Sequence, residues 1–151
     1  MEKPFETFSG EAVYRYKTKK GLLKLYSAFD NSNFQLIQED INSPEGVDFK
    51  LNNSNLYFNG SYTTILENKW TLATGFSYTY SKNKINIDTN AIDDTENSIH
   101  TKLKLRKSFS NRFKLNFGAE YFTTHFNEVF LNETISSLSY GFKNNILAAF
   151  A

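Results

Sequence analysis

Trp70-Thr71-Leu72-Ala73-Thr74-Gly75-Phe76-Ser77-Tyr78-Thr79-Tyr80 is large on its even positions and small on its odd ones. Trp70, Leu72, Thr74, Phe76, Tyr78 and Tyr80 share one side of a two-residue period, and Thr71, Ala73, Gly75, Ser77 and Thr79 share the other. That period belongs to a β-strand, whose successive side chains point to opposite faces. The small side decides what kind of strand this is. A strand on a water-soluble barrel turns charged residues outward, yet these five positions carry no charge and suit a crowded polar interior. The large side then faces an apolar medium, and the stretch has the length, about 9 to 11 residues, that a tilted strand needs to cross hydrocarbon.

The pattern repeats in both directions. Phe113 to Tyr121 sets Phe113, Leu115, Phe117, Ala119 and Tyr121 against Lys114, Asn116, Gly118 and Glu120. Ile99 to Phe109 sets Ile99, Leu103, Leu105 and Phe109 against His100, Lys102, Lys104, Arg106 and Ser108. Leu56 to Leu66 alternates with Tyr57 and Ile65 as exceptions, and Phe8 to Lys17 places Tyr14 and Tyr16 opposite Arg15 and Lys17. Leu22 to Ile37 reads as one long strand with a bulge expected near Asp30-Asn31-Ser32-Asn33. Leu138 to Ala151 alternates Tyr140, Phe142, Ile146 and Phe150 with smaller or polar residues.

Seven strands predict six connections of two alternating kinds. Lys19-Lys20-Gly21, Glu67-Asn68-Lys69 and Ser110-Asn111-Arg112 suit tight hairpin turns. Gln38 to Asn53, Asp88 to Asn97 and Asn127 to Ser137 read as long loops. In an up-and-down meander every tight turn lies at one end and every long loop at the other. Charge divides the same way: the three loops hold ten carboxylates (Glu39, Asp40, Glu45, Asp48, Asp88, Asp93, Asp94, Glu96, Glu128 and Glu133) against Lys50. Their net is −9, which leaves +10 elsewhere, given a total of +1.

Composition agrees. A chain of 151 residues is one domain at most. Aromatics make up 17% of it, with 15 Phe and 9 Tyr against 2 Pro, and this mixture favours strands. The absence of cysteine excludes disulfides and thiolate metal sites. No run approaches the roughly 20 apolar residues of a spanning helix, and the mean hydropathy is −0.50. Barrel strands, however, carry their membrane signal in alternation. Met1 to Gly10 lacks the apolar core of a secretory signal, so the reading expects either an intracellular protein or a processed or cut piece.

Trp70, Tyr78, Tyr80, Phe109, Phe113 and Tyr121 lie at or near segment ends, where the aromatic girdles of a membrane barrel meet headgroups. The fold expected is therefore all-β, an antiparallel up-and-down transmembrane β-barrel of which residues 1–151 form a seven-stranded segment of a larger barrel. The rival is a soluble β-barrel that binds a small apolar ligand inside, with the rings filling its interior.

Gly21 to Tyr26, Leu56 to Tyr62, Trp70 to Ile87, Lys102 to Phe122 and Ile146 to Ala151 resemble barrel strands of TonB-dependent outer-membrane receptors of the Bacteroidota type. The resemblance rests on strand texture and hairpin rhythm. It implies a bacterial outer-membrane location and uptake of a scarce ligand. It also implies partners outside the segment: outer-membrane lipid, the remainder of the barrel, a plug domain not visible here, and an energy-coupling protein.

Chemistry is sparse. His100 and His125, the only histidines, sit in no nucleophile or metal pattern, so no catalytic residue, cofactor or metal site is expected and the protein is read as a non-enzyme. Asp88 to Glu96 is rich in oxygen ligands but lacks the glycine and spacing of a calcium loop, and reads as solvated loop. Lys102, Lys104 and Arg106 share one strand face, where a polar interior would hold them near Glu120 or Glu11. With a near-neutral total charge, nucleic acid is not expected as a partner. No ligand-contacting residue is identified.

Overall fold

A computed structural model of the chain describes residues 5–41, 43–110, 112–132 and 137–151. The first four residues, Asn111 of the third tight turn and Glu133 of the third acidic stretch lie outside the described residues. Seven strands form one antiparallel sheet in the order of the chain: β1 (Glu6–Lys17), β2 (Gly21–Asp40), β3 (Ser43–Ile65), β4 (Trp70–Ile87), β5 (Asn90–Ser108), β6 (Lys114–Leu131) and β7 (Leu138–Phe150). This is the all-β up-and-down meander that the alternation predicts.

The tight turns fall where glycine, asparagine and lysine can close them. Glu67–Lys69 forms one 3-10 turn with Asn68 at φ 55° and Lys69 at φ 61°. Asparagine enters that left-handed region more readily than most residues. At the third turn Ser110 Oγ accepts from the Arg112 and Phe113 amides, at 3.3 and 3.0 Å.

At the other end the structure corrects the reading. The first two acidic stretches are mostly strand, and the third is strand from Asn127 to Leu131. β2 continues to Asp40 and β3 begins at Ser43, β4 passes to β5 across Asp88-Thr89, and β6 runs to Leu131. Backbone pairing continues through their polar composition, and side-chain hydrogen bonds join the strands in and beside them. Asn31 Nδ2 donates to Ser54 Oγ at 2.7 Å, Asn83 Nδ2 donates to Asp94 Oδ1 at 2.8 Å, and Asn53 donates to Asn83. The bulge expected at Asp30 to Asn33 is also absent: pairing runs unbroken from Leu22 to Gln38, and the register shifts between Gln38 and Asp40, beside the turn.

Register reveals the tilt of the strands. Leu22, which pairs with Lys17 at the foot of the first hairpin, pairs on its other side with Thr63, two residues short of Ile65 at the foot of the second. Thr71, the partner of Ile65, pairs with Arg106, two residues short of Ser108 at the foot of the third. Each hairpin therefore starts two residues, about 6.6 Å, below its predecessor, across two strand spacings of about 9.6 Å in all. The slope is roughly 35°, within the range of about 35–45° for transmembrane barrel strands.

The ring-bearing face follows that slope. From row to row it presents Tyr14, Leu25, Phe76, Tyr121 and Leu147, then Phe58, Tyr78 and Ile99, then Phe29, Leu56 and Tyr80. Its lower margin is ringed by Tyr16, Tyr62, Trp70, Phe109 and Phe113. Trp70 meets Phe117 edge-on at 5.8 Å, and Phe109 lies 5.4 Å from Phe113. Lys107 shares this face, but its ammonium turns back to the Asn68 carbonyl at 2.6 Å and over the Trp70 ring at 5.1 Å, at the foot of the sheet. Measured along β4, the band from Trp70 to Tyr80 is about 27 Å tall once tilted, close to the roughly 25 Å apolar belt of an outer-membrane barrel.

No described residue seals this face. Among the described residues no apolar side chain is buried; Phe76 and Leu115 are each 41% exposed, and the buried residues are Thr64, Ser98 and Thr124. The soluble-barrel reading required Phe76, Leu115 and Phe117 to be sealed in a closed core, and they are not. β1 and β7 are paired on one side only. Because an open edge in hydrocarbon costs several kcal/mol per unmade hydrogen bond, closure in a membrane needs further strands along both.

Candidate functional site

The opposite face is where polar chemistry collects, and cross-strand register stacks it in tiers. The lowest tier that spans all seven strands runs Lys17, Leu22, Thr63, Ala73, Lys104, Gly118, Phe150, and the next runs Arg15, Lys24, Ser61, Gly75, Lys102, Glu120, Ala148. Arg106 lies one step lower, beside Thr71 and Asn116. The expectation that Lys102, Lys104 and Arg106 share one face therefore holds. The expectation that Glu120 lies near them holds for Lys102 alone: the Glu120 carboxylate takes Lys102 Nζ at 2.5 Å and His100 Nε2 at 3.1 Å. Glu11, the other acid proposed for them, instead accepts from the Tyr26 hydroxyl at 3.1 Å.

Above the cations lies a tier of hydroxyls and rings with Tyr26, Asn59, Ser77, His100 and Phe122, and then one with Tyr57, Thr79, Ser98 and Thr124. Ser98 Oγ and Thr124 Oγ1 bond at 2.9 Å, which satisfies two of the buried side chains. Carboxylates follow. Asp30, Glu96, Asp94 and Glu128 occupy the next two rows, so the inner face changes sign along the strands. Asp94, Glu96 and Glu128, read as loop residues, belong to this wall.

The row above is apolar from β2 to β7. Phe34, Leu51, Ile85, Ile92, Phe130 and Leu138 are consecutive cross-strand partners, with Phe34 and Phe49 rings 6.1 Å apart. At the same height the ring-bearing face has turned polar, with Asn33, Asn52, Lys84 and Asp93. Ile85 and Ile87 continue the odd series of Thr71 to Thr79, and this switch of parity was the signal in the sequence that could have disclosed the inversion.

β7 departs from expectation too. Tyr140, Phe142, Ile146 and Phe150 lie on the inner face, not with the rings of the outer one, because Phe142 pairs with Phe126 and Ile146 with Phe122. The Phe126 and Phe142 rings stack at 5.4 Å. His125 stands on the outer face above the apolar band, opposite Asn97 and Lys143. Neither histidine joins a group of three or more metal-ligating side chains, and no such group occurs among the described residues.

At the upper tip, Asp48 is tied to its surroundings. Lys50 Nζ at 2.6 Å and Gln35 Nε2 at 3.0 Å hold its carboxyl below the usual carboxylate range, the lysine contributing most. The Asp48 amide donates to Asp88 Oδ1 at 2.8 Å, and the Asp88 amide donates to the Asp48 carbonyl at 2.9 Å.

A tilted meander with a lipid-height apolar belt, aromatic margins and a polar reverse is the wall of an outer-membrane β-barrel. Over residues 40–147 the chain matches the profile of the type IX secretion system membrane protein PorP/SprF family, and it belongs to that family. It is thus an outer-membrane protein of a secretion system. The resemblance to TonB-dependent receptors is overturned by this match: strand texture and hairpin rhythm are common to membrane barrels at large, since the bilayer imposes them whatever passes through the pore. No curated protein and no solved structure matches the chain.

Proposed function

We propose that this chain forms part of the wall of a type IX secretion barrel and that its inner face engages polypeptide, either the exported protein or another component of the system, without catalysis. The observation that carries this reading is the tiered inner face. Cations, hydroxyls, carboxylates and apolar side chains follow one another along the strands, a variety that a small nutrient does not need and a polypeptide does. Family membership supports the direction, outward export in place of ligand uptake. The strands that close the sheet along β1 and β7 come from further polypeptide.

Deletion of the coding sequence in its native host tests the proposal. One or more proteins that normally reach the cell surface or medium should remain in the periplasm and return to the outside when the gene is restored. Unchanged export together with a loss of uptake of a small ligand would contradict it.

A further inference from the structure

We infer that the inner face at the tight-turn end is a groove for an extended acidic segment of a polypeptide. The inference rests on the reading that this face meets protein, and names which part of that protein is held here.

Two cationic posts flank a floor of small residues. Arg15, Lys17 and Lys24 stand on β1 and β2, Lys104 and Arg106 on β5, and between them lie Ser61, Thr63, Thr71, Ala73 and Gly75 on β3 and β4. Three strand spacings, about 14 Å, separate Lys24 from the β5 post, enough for one extended chain whose alternate side chains reach either wall. A hollow of about 530 Å³ borders Lys17, Lys24, Ser61 and Thr63, and a second of about 210 Å³ continues it past Thr63 to Lys104 and Arg106.

The posts lack internal neutralisation. Among the described residues Lys102 has an acid, Glu120, whereas no carboxylate lies within 4 Å of Arg15, Lys17, Lys24, Lys104 or Arg106. Arg15 and Lys24 are direct cross-strand partners, an arrangement of like charges that destabilises a sheet. Carboxylates of a bound segment would relieve it.

Chemistry selects polypeptide over other anions. Headgroups of the surrounding bilayer meet the margins of the opposite face. The floor carries no ring on which a base would stack. Higher on the same strands the wall is acidic and then apolar, which a uniformly charged polyanion would not tolerate and a sequence of mixed residues would.

The test uses the full-length protein purified in detergent and fluorescence anisotropy of a labelled ten-residue peptide of alternating Glu and Ser. We expect it to bind about ten-fold or more tighter than its Gln-Ser counterpart and to weaken as salt rises. Lys24→Gln/Lys104→Gln, and separately Arg15→Gln/Arg106→Gln, should each abolish that preference. Heat-dependent gel mobility checks that each variant keeps a folded barrel, and if one pair fails to fold the other still decides. Equal binding of the two peptides, full competition by millimolar inorganic phosphate, tighter binding of a single-stranded oligonucleotide of matched charge, or folded variants that retain the preference would each overturn the inference. Failure of the groove is separable from failure of the secretion reading. Charge-selective binding without an export defect on deletion would sink only the latter, and an export defect without selective binding only the former.

Discussion

At residue scale the assignment of faces makes opposite demands on neighbours. Phe76 lies mid-band on the outer face, so Phe76→Arg should cost about 2 to 4 kcal/mol of barrel stability, the penalty of a cation near the bilayer midplane. Ser77 points to the polar side between Asn59 and His100, and Ser77→Arg should be tolerated. Urea titration of both variants in lipid vesicles checks this, and equal tolerance would refute it. The sequence disclosed these two roles because size and polarity alternate without a break from Trp70 to Tyr80. It disclosed the Lys102–Glu120 pair as well, since each residue stands opposite the apolar series of its own strand, which brings both to one face. It could not disclose the opposition of Arg15 and Lys24, which depends on how a hairpin closes. Nor could it assign Tyr140, Phe142, Ile146 and Phe150 to the inner face: an apolar series shows that a strand has two sides, while register decides which side is which.

At the scale of elements the instructive error is the length of the strands. Gln38 to Asn53 reads as loop because asparagine, aspartate, proline and glycine disfavour strands by propensity, yet here the backbone ladder of β2 and β3 continues beyond the apolar band. The tip of the β2–β3 hairpin is correspondingly sensitive to acid. The Asp48 carboxyl is held below its usual range in the fold, so the stability it lends is present above the ordinary aspartate value near 3.9 and is lost as pH falls through the lowered value. Hydrogen exchange at amides 47–50 should therefore speed up below about pH 4 beyond the intrinsic rate, and Asp48→Asn should remove that pH dependence. A second element depends on close approach of backbones. A Cβ at Gly118 would meet the Leu103 carbonyl oxygen at 2.3 Å and the Phe150 ring at 2.7 Å. Gly118→Val should push β6 away from β5 and destabilise the barrel by about 1 to 3 kcal/mol, the usual cost of overpacking. Denaturant titration measures it, and a wild-type midpoint would show that the strands can part without cost.

At the scale of the whole molecule, the two faces exchange character partway up the sheet. Below, rings face outward and polar groups inward; above Tyr80, Lys82 and Lys84 face outward while Ile85 and Ile87 face inward. The lower part has the polarity expected in a bilayer and the upper part that of a wall standing in water with an apolar lining. Strand count, meander order and membrane location could all be read from the chain, because hydrocarbon thickness and the two-residue period constrain every such barrel alike. The kind of barrel could not be read in that way, since the lipid-facing pattern is indifferent to cargo. The inner face is where families differ, and its tiers emerge only when seven strands are laid in register.

The orientation of the sheet supports all of this, and lipid contact measured position by position tests it most directly. The chain has no cysteine, so each single substitution from Leu72→Cys to Asn83→Cys carries one fluorophore, and the full-length protein can be placed in vesicles with quenchers on the acyl chains. Quenching should be strong at positions 72, 74, 76 and 78, weak at 73, 75, 77 and 79, and slight at both 82 and 83. Quenching that peaks at the odd positions, or that does not alternate, would contradict that orientation.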